Sequence, residues 1–295
     1  MEFFSQLLVS GILTGSVYAL MALGIVVIYK ASSVFNFAHG SIVAFSAYLL
    51  WSFVVQLHMN LLLAVVCTLI GLAILAWLIQ RLILYPLTGQ PILAAIVATL
   101  ALGEVLAGFV TLLWPGPART YPKFFPSGTF HLGATVISLE SVINFLICAL
   151  AFIAFMLFFQ KSKLGLVMRG TAEDHQLARS EGVKINRIFV LAWFVAIIMA
   201  AIGGFLMAQM HGVNQEPLIA LGMKSLAVVI LGGMESVLGA VLAGITIGML
   251  EALGAGYLDP IVGGGVEEVF PFVILLVVLL IKPYGLFGYQ RIERV

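Results

Sequence analysis

The sequence predicts an all-α integral membrane protein: a polytopic helical bundle of about eight membrane segments, one of them broken or re-entrant near Gly232-Gly233. Three observations lead there. Of 295 residues 62% are hydrophobic and only 9% charged, with a mean hydropathy of +1.17, which leaves too little polar surface to coat a water-soluble globule. The apolar residues gather in runs close to the roughly 20 that a helix needs to span hydrocarbon. Thirty glycines exclude a simple coiled coil, and 14 Lys and Arg against 13 Asp and Glu leave no basic face to neutralise the phosphates of a nucleic acid.

The first run, Leu7–Ile28, is too long for a signal-peptide core, has no basic residue before it, and is followed by Lys30 rather than small residues, so it stays in the membrane. Gly40–Leu57 and Leu61–Leu82 come next, parted by the turn signal His58-Met59-Asn60, and Ile92–Trp114 follows the Pro-flanked stretch 86–91. A Pro- and Gly-rich connection, 115–138, leads to Leu139–Phe159; the charge-dense segment 161–187 leads to Ile188–Met210. A glycine-interrupted stretch then runs from Leu221 to about Gly256, and Val266–Ile281 closes the set.

Basic residues near helix ends resist translocation, so they set orientation. Lys161, Lys163, Arg169, Arg179, Lys184 and Arg187 place segment 161–187 in the cytoplasm and the N-terminus, five spans earlier, outside. Lys282, Arg291 and Arg294 place the C-terminus inside as well, which requires an even number of crossings after residue 187. Only three runs are evident there. The stretch 221–256 must therefore fold back or hold two short crossings, with the break at Leu231-Gly232-Gly233-Met234-Glu235-Ser236, where freed backbone groups need a cavity or a helix interface. Gly11/Gly15 and Gly244/Gly248 carry the four-residue spacing that lets helices approach closely, within one subunit in the first reading and at a subunit interface in the second. Cys67 and Cys148 sit in apolar runs and read as packing residues.

Two polar segments carry chemistry. In 161–187, Thr171 can cap a short helix whose first turn holds Glu173 and Asp174, and Gly182 can end it after Arg179. Val167, Met168, Leu177 and Val183 supply apolar contacts, either for a protein partner or for lipid headgroups. In 32–41, Asn36 can cap, His39 titrates near neutral pH, and Gly40 permits close backbone approach at a helix start. That helix start is either purely structural or a pathway-facing N-terminus favouring a carboxylate. Glu104, mid-run, should face the bundle interior, be protonated or meet water, as pathway lining or as a partner for a neighbouring helix. Glu251 reads as solvated near a helix end, and Glu267 and Glu268 as external loop residues. Met207, Met210, Gln209, His211 and Asn214 read as core and cap. Gly222-Met223-Lys224-Ser225 lacks the spacing of a phosphate-binding loop, no His-Glu-x-x-His occurs, and His39 and Ser41 lack a nucleophile-elbow context, so no metal site and no ATP hydrolysis are expected of this chain alone.

Asn36-Phe37-Ala38-His39-Gly40 after the first span, Ala172-Glu173-Asp174 with Gly182-Val183 beyond it, Leu231-Gly232-Gly233-Met234-Glu235-Ser236-Val237-Leu238-Gly239-Ala240, and the closing Lys282-Pro283-Tyr284-Gly285-Leu286-Phe287-Gly288 occur in this order. Together they resemble the branched-chain amino-acid ABC permease family, of the LivH type, over nearly the whole chain; Glu235 departs from that family's Gly-Gly-x-Gly-Ser pattern. The resemblance implies a single transmembrane permease domain, 1–295, in the bacterial inner membrane, without an ATPase site or cofactor of its own. It implies as partners a second related permease, two ATP-binding subunits carrying ATP and Mg, and a periplasmic substrate-binding protein. It makes Arg169, Ala172, Glu173, Asp174, Ala178 and Gly182 the ATPase-coupling residues, and it leaves Asn36, His39, Gly40, Glu104, Gly232 and Gly233 as the substrate-pathway candidates. The alternatives are a urea or short-amide permease of the same family, an ion-coupled carrier using Glu104, and a membrane enzyme using Ser41 and His39.

Overall fold

The computed structural model describes residues 2–87, 89–132, 135–173 and 175–288, with the backbone alone for Phe130, His131, Leu132, His175 and Gln176. Asp174, Arg291 and Arg294 lie outside the described residues. The helices are α1 (Glu2–Ser32), α2 (His39–Trp51), α3 (Leu61–Leu78), α4 (Ile92–Leu113), α5 (Leu139–Lys161), α6 (Lys163–Glu173), α7 (His175–Ser180), α8 (Ile185–His211), α9 (Gln215–Gly232), α10 (Val237–Val262) and α11 (Val266–Ile281). One short antiparallel hairpin, β1 (Thr129–Leu132) and β2 (Thr135–Ser138), precedes α5. Wide π-turns at Ser52–Gln56 and Ile79–Leu84 prolong α2 and α3.

Among the described residues eight helices are long and apolar enough to cross a membrane: α1 to α5 with those extensions, α8, α9 and α10. The chain is a multi-pass membrane protein with an all-α body, as its composition predicts. α11 has 16 residues, about 24 Å of helix. The glycine-interrupted stretch is two helices. α9 begins at Gln215, six residues before the apolar run, and ends within the predicted break.

At that break, Gly233 has φ +100°, a conformation open to glycine, and the Ser236 hydroxyl caps α10 by accepting from the Gly239 N–H at 2.9 Å. The chain's closing turn covers the end of α9: Leu286 N–H donates to Leu231 O at 2.7 Å and Phe287 N–H to Gly232 O at 3.2 Å. Carbonyls that a helix end leaves unpaired are thereby satisfied without water. A Cβ on Gly232 would strike the backbone of Gly239, and one on Gly233 that of Gly288.

The chain forms two compact units. One comprises residues 2–26, 124–149 and 224–288 of those described. Here α1 and α10 run antiparallel, backbone against backbone. A Cβ on Gly11 would lie 2.5 Å from Met249 Cα, and one on Gly15 2.7 Å from Gly244 O. The paired small-residue motifs therefore serve packing within the subunit, as expected. α9 and α11 also run antiparallel to α10, since Gly232 meets Gly239 near one end of that pair and Lys224 meets Glu251 farther along. Asp259 near the end of α10 accepts from the first N–H of α11, that of Val266, at 2.9 Å.

The second unit comprises 27–123 and 150–223 among the described residues. α2 is buried almost all round, and α4 and α8 run parallel to it. Ala38 lies beside Gly103 and the Tyr48 ring 5.6 Å from that of Trp114, while Val43 lies against Gly204 and Tyr48 OH donates to Val213 O. The 115–123 connection is held to α2 by Trp51 Nε1 donating to Thr120 O (3.0 Å) and Tyr121 OH donating to Ala47 O (2.6 Å).

Gly15→Leu is expected to wedge α1 from α10 at a cost of about 1–3 kcal/mol or more, read as a lower melting temperature in detergent. Gly108→Ala, on α4 where nothing stands within 4 Å, is expected to leave that temperature unchanged or slightly raised.

Candidate functional site

Three constellations carry polar groups where the fold is otherwise apolar. The first is the start of α2. Thr99, the eighth residue of α4, organises it from the side: its hydroxyl donates toward Phe35 O (3.2 Å) and Ile96 O (2.9 Å) and accepts from Phe37 N–H (3.4 Å). Asn36 is fully buried, and its side-chain oxygen accepts from Ala38 N–H at 3.1 Å. This is a turn ahead of the helix rather than the cap expected of it; the residue at the cap position is Ala38. The Asn36 side-chain nitrogen has no hydrogen-bond partner. Gly40 permits the approach predicted for it, because a Cβ there would meet Ile219 O of α9 at 2.5 Å, and Gly222 faces it in turn. His39 is 1% exposed. The positive end of α2 thus lies beside the middles of α4 and α9, not at their ends.

Glu104 is not in this cluster. The buried stripe of α4 is Ala95, Thr99, Leu102, Gly103, Leu106 and Val110, and helical periodicity turns Glu104 to the opposite, exposed face with Leu100 and Val105. It does not face the interior of its unit.

The second constellation corrects the sequence reading most. Glu251 is 4% exposed and Lys224 6% exposed, joined by a 2.5 Å ion pair. Glu251 is therefore not solvated near a helix end, because α10 continues to Val262 beyond it. Tyr18 of α1 donates its hydroxyl to Glu251 Oε1 at 3.1 Å and sets its ring 5.8 Å from the Lys224 ammonium. Glu267 is in the first turn of α11 rather than in a loop, and its carboxylate lies 3.9 Å from the same ammonium. Glu251 Oε2 has no hydrogen-bond partner. Two opposite charges, each the one charge away from the ends of an apolar helix, were the available signal, since isolated charges in neighbouring spans stabilise one another only by pairing.

The third is the charged segment after α5. Its helix starts earlier than predicted: α6 opens at Lys163, where Ser162 Oγ accepts from Gly165 N–H at 2.8 Å. Thr171 is buried inside α6 and donates to Val167 O, so it caps nothing. Gly182 does end α7, with φ +80° and its N–H on Arg179 O. A Cβ on Gly165 would strike the carbonyls of Phe158 and Phe159, so the bend from α5 into α6 needs glycine. Arg169 lies 5.5 Å from the Phe159 ring centroid and donates to Gln160 O, while Lys30 lies 5.9 Å from the same ring. Met168 is buried, whereas Leu164, Leu166, Leu177, Gly170, Glu173 and Arg179 are exposed and Ala172 and Ala178 are half-buried. The segment is a knob fixed to the end of α5, with an exposed face of mixed character.

Among the described residues no group of three or more His, Cys, Asp or Glu side chains is placed to hold a metal ion.

Over residues 7–281 the chain matches the family described as branched-chain amino acid transport system / permease component. It is 30% identical to the high-affinity branched-chain amino acid transport system permease protein LivH of Salmonella typhimurium, covering 99% of this chain and 98% of the relative. It is 28% identical to the corresponding protein BraD of Pseudomonas aeruginosa, covering 98% and 97%. A shorter match, 33% identical over 49% of this chain and 41% of the relative, is to the autoinducer 2 import system permease protein LsrC of Escherichia coli O9:H4.

Replacing Lys224 alone with Ala is expected to leave Glu251 as an unpaired buried charge and to destabilise the protein by about 3–5 kcal/mol. Unfolding in a denaturing detergent measures it; a loss below 1 kcal/mol would show that water compensates Glu251.

Proposed function

The chain belongs to the family of branched-chain amino acid transport permease components, and from that membership we propose that it is one transmembrane subunit of an ATP-driven importer of branched-chain or related hydrophobic amino acids in the bacterial inner membrane. Its partners are a second related permease, two ATP-binding subunits that carry ATP and Mg, and a periplasmic binding protein that delivers the solute. The chain itself binds no cofactor. A zwitterion crosses hydrocarbon only at a high desolvation cost, so the permeases must supply a polar route whose two gates open alternately.

The observation that carries this reading is the near-full-length match to permeases, joined to a rigid knob of the kind an external motor can push. The α6–α7 segment lies on the cytoplasmic side and docks on an ATPase through Arg169, Ala172, Glu173, Asp174, Ala178 and Gly182. Its joint with α5, built from Gly165, the Phe158 and Phe159 carbonyls and the Arg169–Phe159 contact, is stiff enough to pass a displacement into the spans. Three of the eight long apolar helices, α8 to α10, follow the knob; with the 16-residue α11 crossing as the fourth, the count is the even one that a cytoplasmic C-terminus requires. Helix directions agree with the order of crossings, because α2, α4 and α8 run parallel in one unit, and α1, α9 and α11 oppose α10 in the other; the sidedness itself rests on the basic residues of 161–187. The α2 start, with Asn36, His39 and Gly40, is the part of the route suited to a carboxylate. Glu104 must be covered by the second permease or meet water. Gly232 and Gly233 serve the route by holding the α9–α10 turn.

Glu173→Lys is expected to abolish co-purification with the ATPase and to reduce ATP-driven leucine uptake at least tenfold with normal membrane insertion; undiminished uptake would refute the coupling role. Ser180→Cys in a cysteine-free background is expected to react with an impermeant maleimide in inverted vesicles and not in intact spheroplasts. The reverse pattern would overturn the sidedness.

A further inference from the structure

The Lys224–Glu251 pair has no part in the coupling scheme. Both side chains are more than nine-tenths buried, and an ion pair in a low-dielectric interior adds little net stability compared with apolar residues of similar volume. Its arrangement also leaves something over. Tyr18 and Lys224 both engage Glu251 Oε1, while Oε2 is buried with no hydrogen-bond partner, an acceptor vacancy that a folded protein seldom keeps.

We propose that Lys224 and Glu251 form the subsite for the charged end of a zwitterionic amino acid in transit, its carboxylate on Lys224 and its ammonium on Glu251. This deepens the amino-acid reading above and rests on it. An α-amino acid carries the same two groups as the pair itself. When the helices part during the transport cycle, the ligand exchanges one internal ion pair for two, and no net charge is added to the interior. A singly charged solute would leave Lys224 or Glu251 uncompensated, which is the expensive arrangement in hydrocarbon. The surroundings fit the exchange. Tyr18 OH holds Oε1 and so aims Oε2 as the free acceptor for an ammonium. Glu267, 3.9 Å from the Lys224 ammonium and with its side chain 64% exposed, is the looser contact of Lys224, which the carboxylate of the ligand replaces. The subsite selects for zwitterionic character and is indifferent to the side chain.

The test uses the full transporter in proteoliposomes with its binding protein. In the double variant Lys224→Met/Glu251→Gln the pair becomes two neutral side chains of similar size, so a merely structural pair is replaced without loss. Leucine uptake is expected to fall tenfold or more in complexes that assemble in normal yield. Retention of more than a tenth overturns the subsite. A second measurement needs no variant. On the wild-type complex without binding protein, millimolar leucine is expected to raise the melting temperature, while leucinamide, which lacks the carboxylate, and 4-methylpentanoate, which lacks the ammonium, do not. Equal shifts from all three, or none from leucine, overturn the proposal even if the double variant fails to assemble. Wild-type transporter that takes up no leucine defeats the amino-acid reading itself; wild-type uptake with an indifferent double variant defeats the subsite alone.

Discussion

Hydrocarbon offers no hydrogen bonds, and that constraint shapes the α9–α10 turn and the start of α2. Wherever a helix stops short, its unpaired groups must find partners within the chain. At the α9–α10 turn they find the closing segment, whose Leu286 and Phe287 N–H groups bond to the last carbonyls of α9. At the start of α2 they find Thr99 and the Asn36 side chain. In both places the polar backbone is buried in protein rather than turned to lipid. Lone charges obey the same rule: Lys224 and Glu251, on successive helices, are stable in the interior because each neutralises the other.

Packing follows from a second property of lipid, which is as apolar as leucine and so gives helices little hydrophobic reason to associate. Close approach of backbones supplies the attraction instead. Gly11, Gly15, Gly244 and Gly248 bring α1 onto α10, and Gly40 and Gly222 bring α2 onto α9. These contacts are rigid, because a backbone has no rotamers with which to yield. The knob is joined to α5 through a glycine bend of the same kind, at Gly165.

The constellations also divide the work chemically. The α2 start offers the positive end of a helix, the Lys224–Glu251 pair offers both signs of charge, and the knob offers an exposed face of mixed character. The relatives are, by name, permease components of transport systems.

Much of this was legible in the order of residues. Apolar runs of membrane length, His58-Met59-Asn60, the six basic residues after α5 and the Gly232-Gly233 break follow from periodicity and composition, because the demands of lipid act locally along a helix. Gly182 as a stop and the two Gly pairs as contacts were local too. The tertiary structure alone decided which face each residue takes. Thr171 reads as a cap until Ser162 and Gly165 start the helix two turns earlier, and for Glu104 an inward position is one of three readings until the buried stripe of α4 falls on the other side. Glu251 reads as solvated until Lys224 and Tyr18, remote in sequence, close around it. Burial and pairing depend on what lies across a helix interface, and an interface is made by residues that the chain separates by tens or hundreds of positions.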